Sequence, residues 1–382
     1  MEFYLSSVSD KSYTIGAPQD ISSPRLLLFH DRFRYNIGRM RELLQSVAPG
    51  CGMDSLCPHV KTHKSVWVTQ QLMEAGIRAF KTCPNEVEML VEAGVNTMFV
   101  AYPLVFHEAL RIGKLAGENK HIRFIVQASH PKHIEYLLAA AKTHDIRWPY
   151  FIDVDVGMHR TGLSPEYAWD FFRSIDDSDH LHFIGFHGYD GHNASPNLND
   201  RQKTSRASVD LLVEVFRKFD RQGIRVPKLM MGGTPSFLTD LEYLSSINLD
   251  TEIILSPGTW VFFDTKDAAI LPNTFDVAAC VLAQVMDRPD STVATVNLGY
   301  KRWSLDQGPV EGFSVDGMRA LSWSEEHTVV SVPKGAEVNI GDYVLIAPKH
   351  VCSTINLWEH FDVINSEGEV EIRNCPVDAR NR

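Results

Sequence analysis

Between about residues 25 and 265 the chain alternates short apolar runs with longer amphipathic ones, the pattern that βα units around a parallel sheet produce. Eight runs read as strands: Ser55–Lys61, Ile77–Cys83, Thr97–Tyr102, Ile122–Ala128, Tyr150–Val156, His182–Tyr189, Lys228–Gly232 and Thr251–Ser256. Helical spacing of apolar positions falls between them, as in Asn85–Ala93 and Ala207–Phe219. Eight such units predict a (β/α)8 TIM-type barrel over 25–265. After Asp264 the texture changes. Short β-branched and aromatic runs (Phe275–Val285, Thr292–Leu298, His327–Val332, Tyr343–Ala347 and Thr354–Val363) are separated by Gly, Pro and Asp turns, which predicts a β domain over 266–382. Residues 1–24 lack helical spacing and are expected to pair with that domain.

A length of 382 residues, 44% hydrophobic and 22% charged, suffices for two such domains. The net charge of -11 provides no general basic face, so neither nucleic acid nor an anionic membrane is an expected partner. No stretch approaches the ~18 uninterrupted apolar residues of a membrane span, and Met1-Glu2-Phe3-Tyr4-Leu5-Ser6 lacks the charged-then-apolar order of a leader. Six cysteines are scattered without a paired framework, which suits a reducing compartment. The expected location is cytoplasmic.

In a barrel of this type the active site is built where the strands end. Lys61 and His63 follow the first expected strand, Thr82 and Cys83 the second, Gln127 the fourth, and Asp155, Gly157 and Arg160 the fifth. Tyr189 and His192 follow the sixth, Gly232-Gly233-Thr234 the seventh, and Ser256-Pro257-Gly258-Thr259 the eighth. A lysine partly desolvated among His59, His63 and Lys64 has a lowered pKa suited to imine formation; taken alone, Lys61 also reads as a solvated turn residue. Backbone N–H groups of Gly232-Gly233-Thr234, with the Thr234 hydroxyl, suit a phosphate at a helix N-terminus, and Gly258-Thr259 is a second candidate. Either pair singly also marks a plain turn. Both at strands seven and eight match the usual phosphate position of such barrels. Arg160 offers a planar fork to a substrate carboxylate or a cofactor ring nitrogen, or else pairs with a capping Asp155. His350 and Cys352, at i and i+2 of an extended segment after Tyr343–Ala347, point the same way and suit one soft metal ion, zinc before magnesium or calcium. The other reading is a buried thiol beside an incidental histidine.

Together these segments resemble the D-threonine aldolase and D-serine dehydratase family, relatives of alanine racemase with a pyridoxal 5'-phosphate (PLP) barrel and a C-terminal β domain. The resemblance spans nearly the whole chain. It rests on Pro58-His59-Val60-Lys61-Thr62-His63-Lys64, Asp155-Val156-Gly157 with Arg160, Tyr189 with Gly191-His192, Gly232-Gly233-Thr234, Ser256-Pro257-Gly258-Thr259, and His350-Val351-Cys352-Ser353-Thr354-Ile355-Asn356-Leu357. It implies that Lys61 carries PLP as a Schiff base, that Arg160 and Tyr189 line the ring, and that Gly233, Thr234, Gly258 and Thr259 hold the phosphate. His350 and Cys352 would ligate a divalent metal, zinc first and manganese second, in a homodimer. Cys352 stands where the aldolase branch tends to carry Asp, so that His350-x-Cys352 looks more like the dehydratase branch, and Ser353 stands where a proline is common. The expected activity is therefore a PLP- and metal-dependent lyase on a β-hydroxy D-amino acid, of the D-serine dehydratase type, with a D-threonine or D-3-hydroxyaspartate aldolase as the alternative. A racemase needs bases on both cofactor faces and no metal, and a non-catalytic PLP carrier needs no metal-bearing β domain; these are the further alternatives.

Overall fold

The computed structural model describes residues 1–6, 8, 12–175, 179–308 and 312–380. The chain divides into two compact units, one of Met1–Arg39, Thr62–Val68 and Thr259–Arg382, the other of Met40–Lys61 and Thr69–Gly258. In chain order the first three strands are β1 (Glu2–Tyr4), β2 (Ser12–Thr14) and β3 (Arg25–Phe29). They are followed by β4 (Ala79–Thr82), β5 (Thr97–Val100), β6 (Arg123–Ala128), β7 (Trp148–Asp153), β8 (Leu181–Gly188), β9 (Lys228–Met231) and β10 (Glu252–Leu255). These last seven pair in parallel in sequence order, as the alternating pattern predicts.

The eighth position of the barrel is not a regular strand. The expected run Ser55–Lys61 forms two 3-10 turns, Met53–Ser55 and Val60–Thr62, with isolated parallel bridges Leu56–Leu255 and His59–Lys81 between them. Cys57 N–H donates to the Leu255 carbonyl (2.8 Å) and Lys81 N–H to the Pro58 carbonyl (2.9 Å), which closes the ring between β10 and β4. Pro58 has no N–H to give back, so a continuous ladder cannot form there.

Strand side chains alternate in facing, so every second residue points into the barrel. The apolar layer of that interior takes one residue from each position: Cys57, Phe99, Ile125, Phe151, Ile184, Met230 and Ile254, with Ala79 packed against them. Two residues further along the chain the same inward register gives His59, Lys81, Ala101, Gln127, Asp153, Gly232 and Ser256. In β8 the step is three, because Gly185 (φ +138°) makes a bulge: Tyr150 pairs with Phe183 but Phe151 with Gly185. A Cβ at Gly185 would fall 1.8 Å from the Lys228 carbonyl oxygen, so only glycine permits this register. The extra residue turns His187 inward. Around the sheet, helices such as Leu198–Arg221 bury one stripe, with Ser205, Ser208, Val209, Leu212, Val213, Val215, Phe216 and Phe219 buried at helical spacing.

The other unit is built on β11 (Ala279–Asp290), β12 (Val293–Val296), β13 (Gly312–Phe313), β14 (Arg319–Trp323), β15 (Thr328–Ser331), β16 (Tyr343–Ala347), β17 (His360–Ile364) and β18 (Val370–Pro376). The sheet order is β14-β15-β12-β11-β3-β17-β18, with β16 on β11 and β13 on β16. Two local expectations are corrected. Arg25–Phe29 lies in the range assigned to the barrel, yet it pairs antiparallel with β11 and parallel with β17; its buried Leu-Leu-Leu-Phe needs partners on both edges. The run Thr354–Val363 is not one strand: the helix Val351–Ile355 ends near its start, and β17 begins at His360. Within residues 1–24, β1 and β2 pair with each other, and Tyr13 OH donates to the Val277 carbonyl (2.9 Å) and Gly16 N–H to that of Gly368 (2.8 Å). No described helix is long and apolar enough to cross a membrane.

One buried acid gives the barrel unit a pH signature. Asp240, on the helix Phe237–Ser246, is fully buried, accepts from the Ser205 hydroxyl, and has its pKa raised well above the carboxylate range by burial and by the neighbouring Asp190. A group whose folded pKa is raised contributes stability at low pH and loses it as pH rises above its unfolded value. Asp240→Asn mimics the protonated acid. Its melting temperature should gain on the wild type as pH rises from 6 to 9, by roughly 2 °C or more, in parallel thermal melts.

Candidate active site

A cavity of about 460 Å³ opens at the carboxyl ends of the barrel strands, and Lys61, Arg160 and Tyr189, three of the expected site residues, line it. His59, Lys81, Cys83, Gln127 and His187 line it as well. Lys61 sits in the 3-10 turn Val60–Thr62, its backbone N–H donating to His59 Nδ1 (3.2 Å). Three cations gather around one aromatic ring: Lys61 Nζ is 5.9 Å, Lys81 Nζ 5.1 Å and Arg160 Cζ 4.9 Å from the Tyr189 ring centroid. Arg160 is not the ion partner of Asp155. That carboxylate accepts from the N–H groups of Gly157 and His159 (3.0 Å each) and from His159 Nδ1 (2.8 Å), and so organises the turn that carries Arg160.

Below this rim lies a polar relay. Asp153 accepts from His187 Nδ1 (2.7 Å) and from Gln127 Nε2 (3.1 Å), which fixes the tautomer of His187 and leaves its Nε2 as an acceptor. Lys81 Nζ donates to that Nε2 (2.8 Å) and to the Ser256 hydroxyl (3.1 Å). Burial and the Lys81 charge pull the His187 pKa down to about 4, so the imidazole is neutral. Burial lowers Lys81 to about 8, with Lys61 and Arg160 adding to the shift and Asp153 opposing it.

The two loops expected to hold phosphate are joined, because the Ser256 hydroxyl donates to the Gly232 carbonyl (3.0 Å). Gly232 adopts φ +92° and turns the chain into the helix Phe237–Ser246. Thr234 is buried, Gly233 N–H donates to the Ser236 hydroxyl (3.1 Å), and Gly258 precedes the 3-10 turn Thr259–Val261. These residues fit PLP. The cavity pairs an amine with a cluster of cations suited to an anionic guest, and Gln127 Oε1, buried in its wall, has no hydrogen-bond partner there.

In the other unit, His350 and Cys352 stand at a strand-to-helix junction rather than in an extended strand. His350 is the extended N-cap residue and Cys352 lies in the first turn of Val351–Ile355. The pair still meets: burial lowers the His350 pKa, but a hydrogen bond to Cys352 and the charges of Cys352 and Asp306 outweigh it and raise the value to about 9. His350 Nδ1 donates to Asp306 Oδ2 (2.6 Å), an orientation that would leave Nε2 for a metal once its proton is lost. Cys352 Sγ lies 3.2 Å from the hydroxyl of Thr62, the residue after Lys61 in the chain. This donor set fits a soft divalent metal. A second cluster, His59, Cys83 and Glu86, brings its ligand atoms within 4.8 Å of one another. Glu86 Oε2, however, accepts from Cys83 N–H (2.8 Å) and Thr82 Oγ1 (3.2 Å) as a helix cap, and His59 Nδ1 accepts from Lys61, which puts the ring proton on Nε2.

The family described as "Alanine racemase, N-terminal domain" matches residues 30–263, and the one described as "Putative serine dehydratase domain" matches 278–364. The chain belongs to the alanine racemase-fold family of D-threonine aldolases and D-serine dehydratases. Within this PLP-dependent lyase family, the 3-hydroxy-D-aspartate aldolase of Paracoccus denitrificans (strain Pd 1222) is 25% identical over 377 residues, covering 95% of this chain and 93% of the relative. The D-serine dehydratase of Saccharomyces cerevisiae is 22% identical over 411 residues, covering 92% and 95%. The solved D-threonine aldolase from Filomicrobium marinum superposes with a TM-score of 0.84 at 25% identity, covering 94% of this chain and 96% of that one. The barrel with a C-terminal β domain expected from the pattern is this fold.

Reading strand ends alone missed Lys81, His187, Asp153 and Asp306. The first three were within reach: stepping two residues beyond the apolar layer of each strand lands on Lys81 and Asp153, and a bulge at Gly185 brings in His187. Asp306 carries no such signal, since it lies 44 residues from His350. Gly232→Ala tests the loop geometry. The positive φ and a Cβ 3.2 Å from Asp240 Oδ2 should cost ~1–3 kcal/mol of stability in a urea titration.

Proposed function

We propose that this family member is a dehydratase of the D-serine type, removing water and then ammonia from a β-hydroxy D-amino acid, with PLP on Lys61 and zinc on His350 and Cys352. The observation that carries the reading is the pairing of His350 with Cys352, with Asp306 held on His350 Nδ1: an imidazole beside a thiol is the donor set that sets a His-x-Cys dehydratase apart from an aldolase with a carboxylate ligand. When bound, the pyridoxal ring supplies an electron sink and the metal a Lewis acid for the β-hydroxyl.

The chain's own residues do the remaining work. Lys61 would hold the cofactor and would serve as the base for the Cα proton. Arg160 clamps the carboxylate against the Tyr189 ring. Gly233, Thr234, Gly258 and Thr259 would hold the phosphate. An aldolase acting on D-threonine or D-3-hydroxyaspartate is the second reading, favoured by the Paracoccus and Filomicrobium relatives, and it uses the same groups with proton removal at the β-hydroxyl. Exposed Tyr102, Val105 and Phe106 at or beside the cavity mouth support a homodimer. Six cysteines without a disulfide among the described residues support a cytoplasmic location.

Purified protein should show the absorbance of lysine-bound pyridoxal, and borohydride should fix the label on Lys61; Lys61→Ala should show neither. D-serine, D-threonine and D-3-hydroxyaspartate are then assayed for keto acid with ammonia against aldehyde with glycine. Aldehyde as the main product replaces the dehydratase reading with the aldolase one. Chelation or Cys352→Ala should lower activity at least ~10-fold, with zinc restoring only the chelated wild type. Asp306→Ala should weaken metal binding by about 10–100-fold in a chelator competition titration.

A further inference from the structure

The barrel interior has a second polar layer, on the other side of the apolar one. Stepping two residues back from the apolar layer, towards the amino ends of the strands, gives Thr97, Arg123, His182, Lys228 and Glu252. Thr97, Arg123, Lys228 and Glu252, with Asp54 and Arg78, line a cavity of about 150 Å³ there. Its floor is the underside of the apolar layer: Cys57, Phe99, Ile125, Met230 and Ile254. The cavity at the carboxyl ends shares no lining residue with it. The charges around this mouth do not cancel. Lys228 Nζ lies 2.5 Å from Glu252 Oε2, so that pair is neutral. Among the described residues, neither Arg78 nor Arg123 makes a side-chain hydrogen bond or ion pair. Asp54 is the remaining acid of the lining, so two guanidiniums stand against one carboxylate. His182 reports the same excess: burial lowers its pKa, and the charges of Arg147 and Arg123 lower it further.

We propose that this amino-terminal mouth of the barrel binds a small monocarboxylate with a short aliphatic tail, its carboxylate on Arg78 and Arg123 and its tail on the apolar layer. Three features select that class of ligand. A guanidinium fork matches the two oxygens of a carboxylate. One surplus positive charge balances a monoanion, whereas the second charge of a dicarboxylate or a phosphate would meet Asp54 and Glu252. An apolar floor favours a hydrocarbon tail and contributes nothing to the binding of an inorganic ion. Because the apolar layer separates the two cavities, a ligand held here does not compete for the space around Lys61.

The experiment titrates sodium butyrate into the cofactor-loaded protein carrying carbon-13 in its isoleucine and methionine methyl groups. The resonances of Ile125, Met230 and Ile254 should shift and saturate with a Kd of about 10 mM or tighter, and added sodium chloride should weaken the binding. Butanamide, which keeps the tail and loses the charge, should leave those methyls unmoved. Acetate, which keeps the charge and loses two methylenes, should bind at least about fivefold more weakly. Arg78 and Arg123 are exposed, so Arg78→Gln and Arg123→Gln should fold normally in thermal melts and each weaken butyrate by at least about threefold. The other cavity also holds cations, and Arg160→Gln is the control for it: butyrate binding should be unchanged. Unshifted methyls overturn the proposal. So do butanamide or acetate binding as tightly as butyrate, and a loss of binding that follows Arg160 while Arg78 and Arg123 have no effect.

Discussion

A positive charge buried at the floor of the barrel is the constraint around which the rest of the site is arranged. Lys81 sits one inward step beyond an apolar layer of Phe99, Ile125, Phe151 and Ile184 and is 4% exposed. It is kept there by two neutral acceptors and by one carboxylate acting through an imidazole. A direct Lys–Asp pair would have cancelled the charge. The intervening His187 instead spreads the compensation over Asp153 and Gln127, and the amine still faces the cavity.

That arrangement depends on register. The interior is layered because strand side chains alternate, so each apolar contact fixes the polar residue two positions on. The bulge at Gly185 is the one place where the count changes, and without it the imidazole of His187 would point away from the cavity. Pro58 has a comparable effect at the seam. By ending the ladder there, it leaves Lys61 in a tight turn instead of a strand, with its backbone held by His59.

The His350–Cys352 pair follows a different logic. Its geometry comes from a helix start, where the N-cap residue and the second residue of the first turn face one another, and from Asp306, which fixes the imidazole. Asp264 supports the same turn by accepting from Val351 N–H (3.0 Å). A carboxylate placed on one imidazole nitrogen raises the basicity of the other, so Asp306 would tune any metal that His350 holds.

The alternation of apolar runs determined by itself that a parallel barrel precedes a β domain, because hydrophobic period is a local property of the chain. Position at strand ends likewise marked Lys61, Arg160, Tyr189 and the two glycine-rich turns. The tertiary structure decided what lies across from them. Lys81 and His187 are 106 residues apart, and Asp306 and His350 are 44 apart; no local pattern encodes such pairs, since they form only when closure of the barrel or folding of the β sheet brings distant side chains within hydrogen-bond reach. Arg25–Phe29 shows the same limit from the other side: its buried hydrophobic run is legible as a strand, but which sheet takes it was settled by the edges that β11 and β17 present.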